Sequence, residues 1–390
     1  MEKITPKCPY FGECGGCTAQ HIPYEVQVEN KKQLVLTHLK KNGIAELENI
    51  PTFFGNPYEY RNRMDFSMGT EGLSLRKRGQ FNQFVAIKTC DISNSKINAL
   101  MKEIQSWFEK NKSLIEPFLP KPRTGCMKYA TIRASEHADS SAITFMLNED
   151  SPNLGKHIEL IKDFSKTTSA HTVAIASIPA QTEMSLSHDA FTVKGTLEMQ
   201  EIIDGKTISF SSQGFFQNNT TMAEKMVQHA KDIFKKHSTK NARLIDLYGG
   251  AGTFGIPLGE LFEKTVIIDT EGPNIVFAGG NLKRNNIKGE TYAGDAKLLK
   301  KLPFPPNKDL YLLIDPPRSG MHQKVIQYIL ELKPKAIVYV SCNPMLMAKE
   351  LKAFMKHYTV KSAAMFDLFP QTEHVEAIVH LERHSESHNL

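Results

Sequence analysis

The sequence has little that would place the protein in a membrane or outside the cell. No apolar run approaches the ~18 residues that a membrane-spanning helix needs, and residues 1–9 lack the apolar region of a signal peptide. These absences predict a cytoplasmic protein with no membrane partner. The composition is otherwise that of an ordinary globular protein. A chain of 390 residues is long enough for two or three domains, and we expect it to be a monomer.

Cysteine is scarce, at six residues, and a reducing compartment argues against disulfide bonds. Three of the six, Cys8, Cys14 and Cys17, share a short glycine-containing segment that lets several sulfurs converge on one centre. Cys90 is a candidate fourth ligand. Four thiolates suit either tetrahedral zinc or a [4Fe–4S] cluster, and the spacing neither chooses between them nor excludes unligated thiols. Cys126 has no partner in the sequence and is expected to be a small buried side chain.

The chain also lacks the G-x-G-x-x-G spacing that binds a pyrophosphate. It has instead a glycine-rich turn at residues 249–252, directly after a predicted strand. Such a turn suits a ligand without phosphates, such as S-adenosylmethionine, although the glycines could serve only a tight turn. Asp269 ends the next predicted strand, where an acidic residue commonly holds a ribose diol. Asp295 lies in a third loop that could reach an adenine edge.

Strands and helices alternate regularly from about residue 213 onward, which indicates a doubly wound sheet. The predicted strands are residues 243–247, 265–269, 310–314, 336–340 and 376–381, and the predicted helices are residues 221–236, 274–285, 322–332 and 345–356. Before this region the elements are short and separated by turns, apart from a helix predicted near 24–41. We predict an α/β protein with a Rossmann-like domain at 213–390 and a smaller α+β domain within 1–212.

Cys342 is a candidate nucleophile because it directly follows a predicted apolar strand and precedes an Asn-Pro turn signal. Asp315 ends the predicted strand before it, so both residues are expected at the carboxyl edge of a parallel sheet, where ligands bind. A thiol beside a nucleotide-type loop suits covalent catalysis. Taken in isolation, a buried cysteine at a strand end is the simpler interpretation.

The net charge of +6 permits a polyanionic partner without requiring one. Positive charge is concentrated between Arg61 and Lys88, where six basic residues face two acidic ones. Phe66, Phe81 and Phe84 lie among them, and interleaved basic and aromatic residues are typical of a nucleic-acid surface. An exposed hairpin with its aromatic side chains in the core would explain the pattern equally well.

Together these motifs resemble the RNA uracil-C5 methyltransferase family, whose members transfer a methyl group from S-adenosylmethionine to uridine in rRNA or tRNA. Residues 215–219 resemble the family's F-x-Q-x-N signature, and residues 341–344 resemble its nucleophile motif. The resemblance implies Cys342 as nucleophile and Glu376 as catalytic base. It implies four cofactor-binding residues: Gln217, Tyr248, Asp269 and Asp315. It further implies a [4Fe–4S] cluster on four cysteines: Cys8, Cys14, Cys17 and Cys90.

The resemblance also carries expectations about architecture and substrate. The early helix would pack on the catalytic domain, and the smaller domain would carry the cluster and bind RNA. We expect Arg61, Arg63 and the triplet Arg76–Arg78 to contact RNA phosphates. The chain lacks the N-terminal β-barrel domain of some members and is similar to the compact 23S rRNA methyltransferases, so rRNA is the first expected substrate and the tRNA T-loop the second. Two positions depart from the family pattern, since Gly249 replaces a cysteine and Asp269 replaces the usual glutamate.

Two other functions fit part of the pattern. RNA cytosine-C5 methyltransferases also use a cysteine adduct, but they usually carry a second cysteine in the loop where this chain has Asp315-Pro316-Pro317. A non-catalytic RNA-binding factor on a methyltransferase scaffold would have no need to retain Cys342 together with Glu376. Both are therefore less favoured than uracil methylation.

Overall fold

Two large β-sheets organise the protein in the computed structural model, which describes residues 3–187, 189–302, 304 and 309–384. The helices are α1 (Tyr24–Lys41), α2 (Ser95–Lys110), α3 (Leu154–Ser165), α4 (Thr220–Phe234), α5 (Gly255–Leu258), α6 (Gly272–Arg284), α7 (Gln323–Leu332) and α8 (Pro344–Phe354). The strands are β1 (Thr52–Phe53), β2 (Arg63–Gly69), β3 (Gly72–Lys77), β4 (Gln80–Ala86), β5 (Met127–Ala134), β6 (Ser141–Asn148), β7 (Thr172–Ile178), β8 (Phe191–Lys194), β9 (Glu198–Ile203), β10 (Lys206–Ser211), β11 (Arg243–Leu247), β12 (Lys264–Asp269), β13 (Gly289–Ala293), β14 (Leu310–Ile314), β15 (Ala336–Ser341), β16 (Tyr358–Phe366) and β17 (Glu376–Arg383).

The eight-stranded sheet has the order β1-β16-β17-β15-β14-β11-β12-β13. Strands β11 to β15 are parallel, whereas β17 runs antiparallel to both of its neighbours. The strand order reverses between β11 and β14, and ligands bind outside the carboxyl ends of the strands at such a switch point. The α/β fold predicted for this part of the chain is confirmed, with a mixed sheet in place of a purely parallel one.

Sequence pattern explains which strands were predicted and which were not. Strands β14 and β15 are buried along their whole length, so they are continuous apolar runs. Strand β16 is interrupted by exposed polar positions and by a register shift between Val360 and Ser362, which breaks the alternation that marks a strand. Strand β13 is a half-exposed edge strand that begins at Gly289 and carries few apolar residues.

Apolar side chains pack on both faces of the eight-stranded sheet. Along β14, Leu312 and Ile314 belong to one buried cluster, while Leu313 belongs to the cluster on the other face. This alternation follows from the two-residue period of a strand. Helix α1 covers the first face together with α8, with which it is in contact. Helix α4 covers the second face, with the β9–β10 hairpin beside it.

The seven-stranded sheet has the order β4-β3-β2-β5-β6-β7-β8 and is antiparallel except for the β6–β7 pair. Helix α2 packs on it, and Asn94 caps this helix by accepting a hydrogen bond from the Ile97 backbone at 2.9 Å. Phe66 is fully buried in the core of this sheet, and Phe84 is half-buried. Some of the aromatic residues between Arg61 and Lys88 therefore serve the core.

The beginning of the chain contributes to the eight-stranded sheet. Strand β1 pairs in parallel with β16, where Thr52 lies opposite Met365. Helix α1 is joined to the segment after β16 by a buried ion pair, in which Lys31 Nζ lies 2.6 Å from Asp367 Oδ1. Tyr24 donates a hydrogen bond of 2.9 Å to the other oxygen of the same carboxylate. Among the described residues, the search for a helix long and apolar enough to cross a bilayer found none.

Candidate active site

A cavity of about 1010 Å³ lies at the carboxyl edge of the eight-stranded sheet, beside the switch point. The loops after β11, β12, β14 and β15 form its floor, and residues 15–18 and 369–374 form part of its wall. All six predicted catalytic and cofactor-binding residues line it: Gln217, Tyr248, Asp269, Asp315, Cys342 and Glu376. The structure therefore brings together residues that are up to 159 positions apart in the sequence.

The glycine-rich loop closes around the carboxylate of Asp246. Its Oδ2 accepts a hydrogen bond of 2.8 Å from the backbone of Gly255. A Cβ on Gly249 would lie 2.7 Å from that oxygen, and one on Gly255 would lie 2.6 Å from it, so both positions need glycine in this packing. This close approach accounts for glycine at position 249. Gly250 has a φ of +56° and faces open space in the cavity, where a ligand can approach its backbone.

Two backbone amides fix the orientation of Asp269. Gly250 donates to Oδ2 at 2.9 Å, and Glu271 donates to Oδ1 at 2.8 Å. Each carboxylate oxygen keeps further lone pairs that face the cavity. The shorter side chain of aspartate is thereby held rigidly at the position predicted to contact a ribose.

Asp315 and Gln217 meet on the opposite side of the glycine-rich loop. Gln217 Nε2 donates a hydrogen bond of 3.3 Å to Asp315 Oδ2. Burial raises the pKa of Asp315 to about 7, and the nearby carboxyl group of Asp246 raises it further. A cationic ligand in this cavity would favour the ionised form of Asp315.

Cys342 and Glu376 lie side by side because of strand register. Strand β15 leads to Cys342, and the antiparallel strand β17 begins at Glu376. Ser341 lies opposite Ala377, so the next position on each strand places the thiol beside the carboxyl group. Asn343 secures the turn, because its side chain caps α8 by accepting a hydrogen bond of 3.2 Å from Leu346.

The electrostatic environment of this pair is dominated by burial. Burial raises the pKa of the Cys342 thiol to about 11; the carboxyl groups of Glu376 and Asp315 contribute, and the Arg318 guanidinium opposes the rise. Burial also raises the pKa of Glu376 well above its usual range, with a contribution from Asp315. Two buried carboxyl groups beside a half-buried thiol mark a site that is suited to binding a cation or to proton transfer.

The wall of the cavity contains residues that the sequence did not single out. Phe369 and Thr372 lie in the loop before β17, and Thr18 comes from the cysteine segment. The backbone of Thr18 donates a hydrogen bond of 2.9 Å to Gln371 O, which joins the two segments. Tyr60 donates a further hydrogen bond of 2.9 Å to Pro370 O. Each of these contacts joins residues more than 300 positions apart, so local sequence patterns could not predict them.

The four predicted metal ligands also converge. A second cavity, of about 320 Å³, is lined by Cys8, Cys14, Cys17 and Cys90. Its wall pairs with the end of β3, since Gly15 donates a hydrogen bond of 2.9 Å to Arg76 O and Arg78 donates one of 2.7 Å to Glu13 O. Burial raises the pKa of Cys17 to about 12. The remaining cysteine outside the two cavities, Cys126, is fully buried in the core, as predicted.

The basic residues predicted to contact phosphate fall into two groups. Arg61 lines both cavities. Arg63 does not, because its guanidinium is buried and lies 2.9 Å from Asp65 Oδ1; the suggestion that Arg63 contacts phosphate was wrong. Arg76 lies 3.4 Å from Glu183 in a more exposed pair.

A family model described as tRNA (Uracil-5-)-methyltransferase matches residues 23–292 and 307–384, which is most of the chain. The chain belongs to this family. It is an RNA methyltransferase, as the sequence predicted.

Relatives of this methyltransferase align along almost its whole length. An uncharacterized RNA methyltransferase of Caldanaerobacter subterraneus is 30% identical, and the alignment covers 98% of this chain and 85% of the relative. An uncharacterized RNA methyltransferase of Chlamydia muridarum is 28% identical, with 96% of this chain and 98% of the relative covered. The fold is that of the Pyrococcus abyssi tRNA (uracil-54, C5)-methyltransferase crystallised with S-adenosyl-L-homocysteine, with a TM-score of 0.77, 22% identity, and 97% and 88% of the two chains covered.

Proposed function

We propose that this methyltransferase modifies C5 of a specific uridine in RNA through a transient covalent bond between Cys342 Sγ and C6 of the uracil ring. The observation that carries the proposal is the adjacency of Cys342 and Glu376 at the edge of the cavity that also holds Asp269, Gln217 and Asp315. A nucleophile, a base and a cofactor pocket within one cleft are what this reaction requires.

The chemistry explains why both residues are needed. Uracil C5 is a poor nucleophile, and addition of the Cys342 thiolate to C6 turns the ring into an enolate with carbanion character at C5. When bound, S-adenosylmethionine supplies the methyl group that C5 takes. The methylated covalent adduct still carries the C5 proton. Glu376 removes this proton, the C5=C6 double bond re-forms, and the C6–S bond breaks to release Cys342 as a thiolate. The raised pKa of Glu376 makes its carboxylate a stronger base toward a carbon acid.

The cavity fits S-adenosylmethionine on several independent observations. The backbone of Gly250 faces space that a Cβ would enter, so a ligand can lie against it. Asp269 is held at the cavity edge to accept hydrogen bonds from a ribose diol. Gln217 and Asp315 supply polar contacts near the nucleophile, and Tyr248 supplies an aromatic surface.

We further propose that the four cysteines hold a [4Fe–4S] cluster. A tetrahedral zinc with Zn–S bonds of about 2.3 Å would hold its sulfurs about 3.8 Å apart. Among the described residues, no three of the four sulfurs lie within 4.8 Å of one another, so they are not drawn together as closely as a single zinc ion requires. Gly16 donates a backbone hydrogen bond of 3.4 Å to Cys14 Sγ, a contact typical of cluster thiolates. Bound there, the cluster would supply rigidity, because the reaction transfers no net electrons.

The RNA is proposed to bind across the smaller sheet, with residues 1–212 as the recognition part apart from α1, and residues 213–390 as the catalytic part. The cysteine segment supports this division because it pairs with Arg76–Arg78 and also reaches the active-site wall through Thr18. We propose 23S rRNA as the substrate, with the tRNA T-loop second. Mapping of 5-methyluridine in rRNA and tRNA from a strain that lacks the gene would distinguish the two.

RNA cytosine methylation fits the cavity less well. Those enzymes use two cysteines, and among the residues that line the cavity Cys342 is the sole cysteine. The loop that would carry the second one begins with Asp315.

The decisive experiment uses RNA that contains 5-fluorouridine. After methyl transfer the ring cannot lose fluorine as a proton, so a covalent protein–RNA complex should persist on a denaturing gel. Cys342→Ala should abolish this complex and lower the rate on ordinary RNA by at least about 10⁴-fold. Cys126→Ala, outside both cavities, should still form it. An undiminished complex in Cys342→Ala, or none in the wild-type protein, would overturn the proposal.

A further inference from the structure

A separate group of ligand-type side chains lies near the other end of β17. His380 and Glu382 are two residues apart on this strand, so they point to the same face. His237 follows the end of α4 and reaches the same face. With a rise of about 3.4 Å per residue, His380 is about 14 Å along the strand from Glu376. The group is therefore distinct from the active site.

The three side chains converge closely. One ligand atom from each lies within 4.8 Å of the other two, and no other such group was found among the residues that the structure describes. His237 Nε2 lies 3.5 Å from Glu382 Oε1, and His380 Nε2 lies 3.7 Å from the same oxygen. These separations exceed the roughly 2.7–3.2 Å of an N–H···O hydrogen bond. The first lies within the ~3.3–3.6 Å between ligand atoms that share a tetrahedral ion at about 2.0–2.2 Å, and the second lies slightly above it.

Both imidazole nitrogens are buried without a hydrogen-bond partner. Nε2 of His237 and Nε2 of His380 each make no hydrogen bond, although Glu382 Oε1 lies just beyond hydrogen-bond distance of both. The side chain of His380 is 7% exposed, so it has little contact with bulk solvent. Buried polar groups without partners are rare in native proteins, and a bound cation would satisfy both nitrogens.

The neighbouring groups hold the three side chains in place. The His237 ring packs edge-on against Tyr311 with ring centres 5.4 Å apart, and the two imidazoles are 5.6 Å apart. Lys361 Nζ lies 3.6 Å from the other carboxylate oxygen of Glu382, which leaves Oε1 directed at the histidines. Glu382 supplies the negative charge that a cation needs beside this lysine.

We propose that His237, His380 and Glu382 bind one divalent transition-metal ion of the zinc class. Two imidazoles and one carboxylate suit zinc, cobalt or nickel rather than magnesium or calcium, which prefer oxygen ligands. Three protein ligands leave a fourth position for water. The side chains of His237 and Glu382 are 17% and 34% exposed, which gives the ion a path from solvent. The ion fastens the segment after α4 to the central strand β17.

Cobalt(II) is the probe, because an N/O site gives visible d–d absorption without the intense thiolate-to-cobalt bands of a cysteine site. Titration of the full-length protein with its cysteine centre loaded should show one equivalent of cobalt bound without thiolate bands and displaced by zinc. His237→Gln and Glu382→Gln should each weaken this binding on the order of 100-fold or more. His357→Gln, an exposed histidine at the start of the neighbouring strand, is the matched control and should bind as the wild-type protein does.

Zinc should also raise the melting temperature of the wild-type protein and of His357→Gln, but not that of His237→Gln. These variants alter partly exposed side chains and leave His380 in the core, so the fold is kept. Absence of the cobalt equivalent in the wild-type protein, or its full retention in both ligand variants, would overturn the proposal.

Discussion

The two cavities of this methyltransferase are built in different ways. The cofactor cavity is assembled from strand ends of one sheet, so neighbouring loops bring Asp269, Asp315 and Cys342 together without help from distant segments. The cysteine cavity is made from a segment without helix or long strand, which is held by backbone pairing to Arg76 and Arg78 and by contact with Gln371. The floor of the first cavity therefore follows from the ends of neighbouring strands, whereas the second cavity depends throughout on contacts between distant parts of the chain.

This difference indicates a division of labour. The cofactor cavity gathers buried acidic groups and a thiol, which are suited to chemistry. Arg61 and Arg76 line the cysteine cavity and Arg78 is exposed beside it, and we propose that such residues contact RNA phosphates. The loop at residues 367–375 connects the two cavities, since it touches the cysteine segment and leads into Glu376. Variants in the first region should alter rate, and variants in the second should alter RNA binding.

The largest effect on rate after loss of the nucleophile is expected from Glu376→Gln. The amide keeps the shape of the side chain but cannot take the C5 proton, so kcat should fall about 10²–10⁴-fold. Elimination of the thiol would be blocked as well, and a covalent complex should accumulate on ordinary RNA. A denaturing gel measures that complex, and single-turnover assays measure the rate. Glu331→Gln on the exposed side of α7 should match the wild type. A normal rate for Glu376→Gln would show that Glu376 is not the catalytic base.

The connecting loop is tested by Lys31→Met. Lys31 Nζ lies 2.6 Å from Asp367 Oδ1 and donates a hydrogen bond of 3.0 Å to Phe369 O. Its loss leaves a buried carboxylate without its partner, so the free energy of unfolding should fall by about 3–5 kcal/mol. Urea denaturation measures this, and addition of Asp367→Asn should restore part of the loss. Lys32→Met, at the next position of α1, should change stability by less than about 0.5 kcal/mol, since its pair with Glu29 is exposed. Equal losses in both lysine variants would show that the loop is not anchored in this way.

The sequence was most informative where local pattern and chemistry coincide. Strands β11 and β14 have the predicted bounds, and Cys342 and Asp315 follow buried apolar strands, as expected. The adjacency of Cys342 to Glu376 was not visible in the sequence, because it depends on β17 entering the sheet antiparallel between β15 and β16. The resemblance to a known family supplied Glu376, whereas its local surroundings gave little indication of a base.

The remaining features could not be predicted because their partners are distant in sequence. Lys31 and Asp367 are 336 residues apart, and no periodicity marks either as half of a buried pair. Arg63 fits a phosphate-binding pattern, but its side chain turns inward to Asp65. The group formed by His237, His380 and Glu382 could not be predicted either, because His237 lies far from β17 in the sequence.

A smaller effect on rate is expected from Arg318→Ala. The Arg318 cation lowers the pKa of Cys342, which burial raises to about 11, so its removal should raise that pKa further. A change of half to one pKa unit reduces the thiolate fraction about 3–10-fold wherever the pH lies below the pKa. In the wild-type protein and in Arg318→Ala, the rate at which the 5-fluorouridine complex forms should rise about tenfold for each unit of increasing pH. The ratio of the two rates should stay constant until the pH nears 11. Arg318→Lys should recover most of the rate. If Arg318→Lys is slowed as much as Arg318→Ala, the positive charge of Arg318 is not what accelerates the formation of the complex.

The smallest expected effect comes from the cysteine region, and it tests the other half of the comparison. Arg78 is exposed beside Glu13, at the point where the cysteine segment pairs with the end of β3. If its guanidinium contacts one phosphate, Arg78→Ala should weaken RNA binding and reduce the slope of log K against log salt by about one. At saturating RNA its kcat should be unchanged, because the cofactor cavity is intact. Lys240→Ala, at the opposite edge of the large sheet before β11, should leave the slope as it is. A fall in kcat for Arg78→Ala with an unaltered salt slope would show that the two regions do not divide chemistry from recognition.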